Sequence, residues 1–303
     1  MIIQRAQHLG MCFGVRDAIA LAQSEASKGP LTVLGDLVHN ETVLEDLRRR
    51  GVRIERQLES VKTDRVMITA HGASETRLRE VHHQGHHVLE ATCPLVRFAH
   101  DRVAALVRAG FHPVIIGQRD HVEVLGLTED LEDFDVVLSE DEIRRLAPRA
   151  RFGVAAQTTQ PLARVQSLVT ALRRQFPQAE VRFVDTVCLP TKQRQKAAEE
   201  IAQQSDIVIV VGGPRSNNTR ELVTTSSRFC ARVHHIQSAA DLSAAWFQPT
   251  DRVGITAGTS TPDSIIDGIE AWLRRLDAAW SWSPSEELST RTAPSEAALA
   301  PMR

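Results

Sequence analysis

The sequence predicts an α/β fold in which three related units, each with a small and mostly parallel sheet, surround a central cavity. Two observations lead to this prediction. Short apolar runs rich in β-branched residues alternate with amphipathic stretches, and one series of elements occurs three times in the same order. The chain has 303 residues, which is enough for two or three compact domains.

The strand-like and helix-like segments follow one another along the whole chain. The clearest strand-sized runs are "LTVLG" (31–35), "PVIIG" (113–117), "IVIVVG" (207–212) and "VGIT" (253–256). The clearest amphipathic helical patterns are "RDAIALAQSEA", "TVLEDLRRRG", "RVAALVRAG" and "KQRQKAAEEIAQQ". This alternation favours parallel sheets whose strands are connected by helices.

The composition excludes several classes of partner. Apolar residues make up 42% and charged residues 24% of the chain, as in ordinary globular proteins. A formal net charge of -2 gives no strong attraction to nucleic acid or to an anionic membrane. No apolar run is long enough for a membrane helix, and "MIIQRAQHLG" lacks a signal-peptide pattern. The sequence therefore predicts a cytoplasmic protein with reduced thiols that binds neither nucleic acid nor membrane.

A cysteine opens each of the three repeated segments. Cys12, Cys93 and Cys188 each precede a helix and a strand that ends in a glycine 23 or 24 residues after the cysteine. A polar loop residue follows each cysteine by 27 or 28 residues, and these residues are His39, His121 and Ser216. Each segment continues into a small polar turn: "TAHGAS" (69–74), "AAQTTQ" (155–160) and "TAGTST" (256–261). Such self-similarity indicates repeated structural units.

The repeats also predict where the domains begin and end. The first α/β repeat is expected at 13–93, the second at 94–187, and the third at 188–280 together with 1–12. Residues 281–303 are rich in Ser, Pro, Ala and Glu, so a disordered tail is predicted there.

Three thiols are predicted to converge, because ligands of open parallel sheets bind beyond the carboxyl ends of the strands. The same arrangement surrounds them with polar side chains: His39, His71, His121, Thr158, Ser216 and Asn218. We expect the helix dipole to favour each thiolate. Three such thiolates suit either a Cys₃His zinc site or an iron–sulfur cluster.

The neutral donors around the thiols suit a phosphate group, because hydroxyls, amides and N–H groups at helix N-termini bind anions. Glu123 is the acid in this set, and it could donate a proton if burial raises its pKa. "HHQGHH" (82–87) is interpreted as a solvated turn rather than a metal site. Cys230 has no counterpart in the repeats, so we expect it in the core.

Nine short motifs follow one another between residue 1 and about residue 275: "GMCFGV" (10–15), "VHNETVLEDLRRRGV" (38–52), "AHG" (70–72), "ATCPLV" (91–96), "HVEVLG" (121–126), "QTT" (157–159), "VC" with "RQ" (187–188, 194–195), "SNNT" (216–219) and "GITAGTSTPD" (254–263). Taken together and in this order, the motifs resemble the LytB/IspH family of 4-hydroxy-3-methylbut-2-enyl diphosphate reductases. The resemblance implies three α/β domains around a [4Fe–4S] cluster.

The resemblance also implies a role for each matching residue. Cys12, Cys93 and Cys188 match the cluster ligands. Glu123 matches the proton-delivering glutamate, and Thr158 the threonine that helps to hold the substrate hydroxyl and relay the proton. The diphosphate-binding positions are matched by His39, His71, His121, Ser216, Asn217 (where a serine is usual), Asn218 and Ser260.

The implied reaction is a reductive dehydroxylation in the non-mevalonate isoprenoid pathway. Two electrons from ferredoxin or flavodoxin arrive through the cluster, the hydroxyl leaves as water, and protonation gives isopentenyl and dimethylallyl diphosphates. Several stretches depart from the family pattern, namely Arg97-Phe98, Val122, "LTED" (127–130) and "LPTKQ" (189–193). Two alternatives therefore stay open: a paralogous reductase with another phosphorylated substrate, and a non-catalytic sensor of a metal or phosphorylated ligand.

Overall fold

Twelve strands form three four-stranded sheets in the computed structural model, which describes residues 1–281. Neighbouring strands within each sheet are parallel. The predicted α/β class with three small parallel sheets is therefore confirmed. The tail predicted at 281–303 lies outside the described residues, apart from Ser281, which ends the last helix.

The helices and strands alternate along the chain. The strands are β1 (Ile2–Arg5), β2 (Thr32–Leu34), β3 (Arg53–Glu55), β4 (Arg65–Ile68), β5 (His87–Glu90), β6 (His112–Ile116), β7 (Asp135–Val137), β8 (Arg151–Ala156), β9 (Glu180–Phe183), β10 (Ile207–Val211), β11 (Val233–Ile236) and β12 (Arg252–Ala257). The α-helices are α1 (Phe13–Ala26), α2 (Glu41–Arg49), α3 (Glu75–His83), α4 (Pro94–Arg108), α5 (Val122–Thr128), α6 (Glu140–Arg144), α7 (Leu162–Gln175), α8 (Leu189–Gln203), α9 (Asn217–Ser226) and α10 (Asp263–Ser281).

All three sheets have the same strand order. The orders are β3-β2-β4-β5, β7-β6-β8-β9 and β11-β10-β12-β1. The fourth strand of the third sheet thus comes from the beginning of the chain, and Ile2 is level with Arg252 of β12. As a result, Cys12, Cys93 and Cys188 each follow the fourth strand of a sheet.

The central strands are apolar on both faces because helices cover both sides of each sheet. All five residues of β10, which reads Ile-Val-Ile-Val-Val, are buried, and so are the last five residues of β8. A parallel sheet covered on both faces requires such continuous apolar runs. The outer strands β3 and β11 are short and largely accessible.

The helix starts position the functional side chains. Cys12, Cys93 and Cys188 occupy the N-cap positions of α1, α4 and α8. Proline in the first turn of α4 and of α8 favours a helix start there, since its fixed backbone angle suits that turn. His121 and Ser216 occupy the N-caps of α5 and α9. No helix in the described part of the chain is long and apolar enough to cross a membrane.

Candidate active site

An equivalent hydrogen bond ties each of the three N-cap cysteines to a polar turn. The bonds run from the amide N–H of each cysteine to a turn carbonyl: Cys12 to Thr259 (3.1 Å), Cys93 to Ala70 (3.1 Å) and Cys188 to Thr158 (3.0 Å). Cysteine and turn follow neighbouring parallel strands, so each sheet delivers both at its carboxyl edge.

The structure brings the chain segments next to the three cysteines into contact, although the cysteines follow different sheets. A Cβ atom added at Gly14 would lie 2.4 Å from Cys93 Sγ, so the Cys93 thiol lies against the backbone two residues after Cys12. Arg194 of α8 donates from Nε to the carbonyl oxygen of Gly10 at 2.9 Å, which ties the helix after Cys188 to the loop before Cys12. Within residues 1–281, no group of three or more His, Cys, Asp or Glu side chains is placed to hold a single metal ion.

Burial has the largest effect on the pKa of two of these thiols. It raises the pKa of Cys93, although the amides of Leu95 and Val96 act in the opposite direction. It raises the pKa of Cys188 to about 11, again against nearby hydrogen-bonding groups, here those of Thr191. The first-turn groups of each helix thus favour the thiolate as expected, but for Cys93 and Cys188 the effect of burial on the pKa is larger. A coordinated metal ion stabilises a thiolate in such a setting.

Three imidazole rings meet, two from loops of the first sheet and one from a loop of the second. The centroids of His39 and His71 are 4.3 Å apart with the rings stacked, and the His121 ring stands edge-on to both at 5.2 and 5.7 Å. Burial lowers the pKa of all three residues, to about 3 for His121. His121 Nδ1 accepts the N–H of Glu123 at 3.1 Å, so the neutral ring carries its proton on Nε2 and can donate it.

The third sheet contributes polar groups that are anchored at one end. Asn218 Oδ1 accepts the N–H of Thr259 at 3.0 Å, and the Asn218 Nδ2 group has no hydrogen-bond partner among the described residues. Ser216 caps α9, and Ser260 Oγ donates to the carbonyl of His39 at 3.3 Å. Neither ring nitrogen of His39 has a partner within residues 1–281. Buried polar groups of this kind suit an oxygen-rich anion that completes their hydrogen bonds.

Asn217, which is predicted to bind the diphosphate, also connects the third sheet region to the second. Its Nδ2 group donates to the carbonyl oxygen of Thr159 at 3.2 Å and to Thr159 Oγ1 at 2.9 Å. Its Oδ1 atom is buried and has no partner in the described part of the chain. Among the predicted diphosphate-binding residues, Asn217 therefore also holds the start of α9 against the "QTT" turn.

Glu123 and Thr158 form a buried pair. Glu123 is 1% exposed, and it accepts the Thr158 amide N–H at 2.6 Å and the Thr158 hydroxyl at 3.0 Å. Burial raises the pKa of Glu123 to about 7, although both bonds from Thr158 act in the opposite direction. Since the Thr158 carbonyl also accepts the N–H of Cys188, one residue links the acid to the thiol site. An acid with a pKa near 7 can donate a proton at neutral pH.

A cavity of about 1190 Å³ opens beside His39 and His121. Burial has the largest effect on the pKa of His39 and lowers it; among the charges in the cavity wall, Asp36 raises this pKa, and Arg215 and Arg220 lower it. Arg220 donates to Gln118 Oε1 at 2.6 Å. Cationic groups in the wall of a cleft attract anionic ligands.

Gln157 and Arg194 lie in motifs of the family pattern, but the sequence assigned neither of these buried polar residues an individual role. Gln157 is fully buried, and its Oε1 atom accepts the N–H of Gln118 at 3.1 Å. Arg194 is 7% exposed and lies on the same face of α8 as the buried residues Thr191 and Ala197. Thr191 and Ala197 lie three residues before and three residues after Arg194, and this helical spacing in the sequence indicates that Arg194 lies on the same buried face.

A family model described as LytB protein matches residues 3–274. The chain belongs to the LytB family. A relative from Trichlorobacter lovleyi is 39% identical over 274 residues, which are 90% of this chain and 96% of the relative. A relative from Aquifex aeolicus is 33% identical, over 89% of this chain and 95% of the relative. Both are named 4-hydroxy-3-methylbut-2-enyl diphosphate reductase.

Two solved structures share the LytB architecture. The first is described as E-1-hydroxy-2-methyl-but-2-enyl-4-diphosphate reductase from Plasmodium falciparum, with a TM-score of 0.83 and 25% identity over 90% of this chain and 87% of that chain. The second is described as (E)-4-hydroxy-3-methyl-but-2-enyl diphosphate reductase, the terminal enzyme of the non-mevalonate pathway. It has a TM-score of 0.64 and 32% identity over 91% of this chain and all of that chain.

Several residues that depart from the LytB pattern lie at the surface. Leu189 is 62% exposed and Phe98 is 41% exposed. Arg97 forms a surface ion pair with Glu90 at 2.5 Å. In "LTED", the Asp130 carboxylate accepts the first two N–H groups of α3 at 2.7 and 2.9 Å. These four substitutions therefore act on the surface and on contacts between sheets, whereas Val122 lines the cavity.

Proposed function

We propose that the protein reduces 4-hydroxy-3-methylbut-2-enyl diphosphate to isopentenyl and dimethylallyl diphosphates. The names of the relatives support this substrate. The observation that carries the proposal to this chain is the buried Glu123–Thr158 pair, bonded to the Cys188 amide. A sensor that only holds its ligand does not need a proton donor, so this pair favours an oxidoreductase.

Cys12, Cys93 and Cys188 would hold a [4Fe–4S] cluster. The fit rests on three free, partly exposed thiols at the N-termini of three helices from three sheets. Thiolates are the ligands that iron–sulfur clusters use in proteins. When bound, the cluster supplies electrons and, through the iron without a protein ligand, a Lewis acid.

The substrate diphosphate binds between the imidazoles and the start of α9. His121 donates from Nε2, and Asn218 donates from its free Nδ2 group. His39 is neutral with both ring nitrogens available, so it can adopt the tautomer that donates to a phosphate oxygen. The remaining proposed contacts come from His71, Ser216, Asn217 and Ser260.

Glu123 supplies a proton, and Thr158 orients the substrate hydroxyl. The reaction takes up two electrons and two protons, breaks the allylic C–O bond, releases water and forms one C–H bond. A carboxyl group with a pKa of about 7 is partly protonated at neutral pH. The Thr158 hydroxyl, 3.0 Å from Glu123 Oε2, can pass that proton to a neighbouring oxygen.

The electron donor, the location and the domain boundaries belong to the same proposal. Ferredoxin or flavodoxin supplies the electrons, and the protein works in the cytoplasm. The domains are 13–93, 94–187 and 188–280 together with 1–12, and the pairing of β1 with β12 supports the assignment of 1–12 to the last of them.

The test compares two cysteine variants after anaerobic purification. We expect wild-type protein and Cys230→Ser to contain iron, to show an iron–sulfur signal in electron paramagnetic resonance, and to form isopentenyl and dimethylallyl diphosphates with dithionite and viologen. Cys93→Ser should lose the signal and the activity. Cys230 is the matched control because it is buried near the carbonyl of Arg232, outside the proposed site.

Other outcomes would overturn parts of the proposal. Zinc in place of iron would exclude the reductase. An intact cluster without isoprenoid product would point to a paralogue with another phosphorylated substrate. Tight ligand binding without turnover of any allylic diphosphate would point to the sensor.

A further inference from the structure

Arg194 occupies a position in α8 that otherwise holds small or apolar side chains. Its neighbours on the buried face are Thr191, Ala197, Ala198 and Ile201. A guanidinium group on such a face carries a large desolvation cost unless an anion compensates its charge. The position therefore calls for a nearby negative group.

No carboxylate within residues 1–281 forms an ion pair with Arg194. Its Nε donates to the carbonyl of Gly10 at 2.9 Å, and its Nη1 donates to the carbonyl of Pro190 at 3.0 Å. These bonds satisfy N–H groups of the Arg194 guanidinium, but the carbonyl oxygens do not neutralise its positive charge. Gly10 comes two residues before Cys12, and Pro190 comes two residues after Cys188.

The groups that can compensate Arg194 are therefore the thiols. Burial lowers the pKa of the Arg194 guanidinium, and the charges of Cys12 and Cys188 act in the opposite direction. Arginine stays protonated under protein conditions, so the positive charge persists. It is one of the few fixed charges at this site that solvent does not screen.

We infer that Arg194 is a positioning residue for the cluster: it holds the Cys12 loop against the Cys188 helix and compensates the negative charge of the thiolate-bound cluster. This inference rests on the proposed function. A buried positive charge beside an iron–sulfur cluster favours the reduced, more negative state, since net charge and nearby hydrogen bonds set the potential. Arg194 therefore raises the reduction potential and makes the cluster easier to load with electrons.

The experiment measures potential and stability in three variants. Arg194→Met removes the charge and keeps similar volume, Arg194→Lys keeps the charge without the planar fork, and Arg16→Met removes an exposed charge one turn after Cys12. We expect Arg194→Met to shift the midpoint potential to more negative values. Arg194→Lys should stay near the wild-type potential but lose iron faster to a chelator, and Arg16→Met should shift little because solvent screens that charge.

Unfolding of the iron-free and iron-loaded forms gives a second readout. With iron removed, Arg194→Met should be at least as stable as the wild type, since the variant no longer buries an uncompensated charge. With the cluster bound, it should be less stable than the wild type. A purely structural role would destabilise both forms alike, and that result would overturn the inference.

Equal potentials in Arg194→Met and wild type would also overturn it, as would equal shifts in Arg194→Met and Arg194→Lys. If Arg194→Met does not fold, the lysine variant still decides: iron loss faster than in Arg16→Met at a wild-type potential supports the inference, and iron loss equal to that of Arg16→Met overturns it. Failure of the proposed function looks different: wild-type protein would then carry no iron–sulfur signal. Failure of this inference leaves that signal and wild-type turnover intact.

Discussion

Burial shifts the pKa of Glu123 and the pKa values of the neighbouring imidazoles in opposite directions. It raises the pKa of Glu123 to about 7 and lowers that of His121 to about 3, because it disfavours the charged form of both. The pocket thus contains a proton donor and neutral hydrogen-bond donors at the same pH.

Glu123→Gln should keep the cluster signal and substrate affinity but lower kcat by roughly 10²–10⁴, the usual contribution of a positioned general acid. Glutamine retains the shape and the bond from the Thr158 amide, but it cannot deliver a proton. Steady-state kinetics and electron paramagnetic resonance measure both properties. Glu132→Gln, which changes an exposed acid, is the control. A Glu123→Gln variant with wild-type kcat would refute the role of Glu123.

The raised pKa of Glu123 also predicts a pH-dependent stability. Well below pH 4.5, the Glu123 carboxyl is protonated in both the folded and the unfolded protein. Between pH 4.5 and about 7, the folded protein keeps this proton while the unfolded protein loses it. The free energy of unfolding therefore falls as the pH rises through this window. Relative to Glu123→Gln, wild-type protein should lose about 3 kcal/mol of unfolding free energy between pH 4.5 and pH 8. Urea unfolding of the iron-free proteins measures this difference. Parallel curves for the two proteins would contradict it.

At the scale of elements, the sequence predicts the central strands, cysteines and turns that recur in each unit, but it does not predict the contacts that connect one unit to another. The central strands could be predicted because burial on both faces requires continuous apolar runs. β3 and β11 have only three and four residues and carry little apolar signal. The cysteines and their turns could be predicted from spacing. The bonds from Arg194 to Gly10 and from Asn217 to Thr159 join elements that are distant in the chain, which spacing does not reveal.

One such connection joins α5 to α3. Asp130 follows α5 and accepts the first two N–H groups of α3, so a carboxylate from the second sheet region caps a helix of the first.

Asp130→Ala should therefore lower the free energy of unfolding by about 1 kcal/mol, the usual cost of losing a helix cap. Chemical denaturation measures this loss, and Glu132→Ala, two residues further along, is the control. The proposed catalytic groups Glu123 and Thr158 form no hydrogen bond with Asp130 in the described part of the chain, so kcat should stay within about twofold of wild type. A tenfold fall in kcat would instead assign Asp130 to the active site.

At the scale of the whole molecule, ion pairs that are partly open to solvent connect the three sheets. Arg215 pairs with Asp36 at 2.7 Å and Arg164 with Glu221 at 2.6 Å. Such pairs contribute little, about 0–1 kcal/mol each at exposed sites. A cluster bound by one cysteine from each of three helices would be a stronger connection between the units.

Removal of iron should therefore lower Tm, by about 2 °C for each kcal/mol of binding energy lost in a chain of this size. Limited proteolysis should show new cleavage between the units in the iron-free protein. Differential scanning calorimetry before and after chelation measures the change in Tm. Cys93→Ser should show no further change on chelation, and an identical Tm in loaded and iron-free wild type would contradict the prediction.

The placement of β1 has a consequence for biosynthesis. Ribosomes make a chain from its N-terminus, so residues 2–5 emerge long before their partners in β12 at residues 252–257. The earliest strand to be made is thus the last to be paired, and the N–H bond that anchors Cys12 to Thr259 forms only after both earlier units have been translated. Iron held by all three cysteines would therefore have to arrive after Cys188 has been made, too late to guide the folding of the first half of the chain.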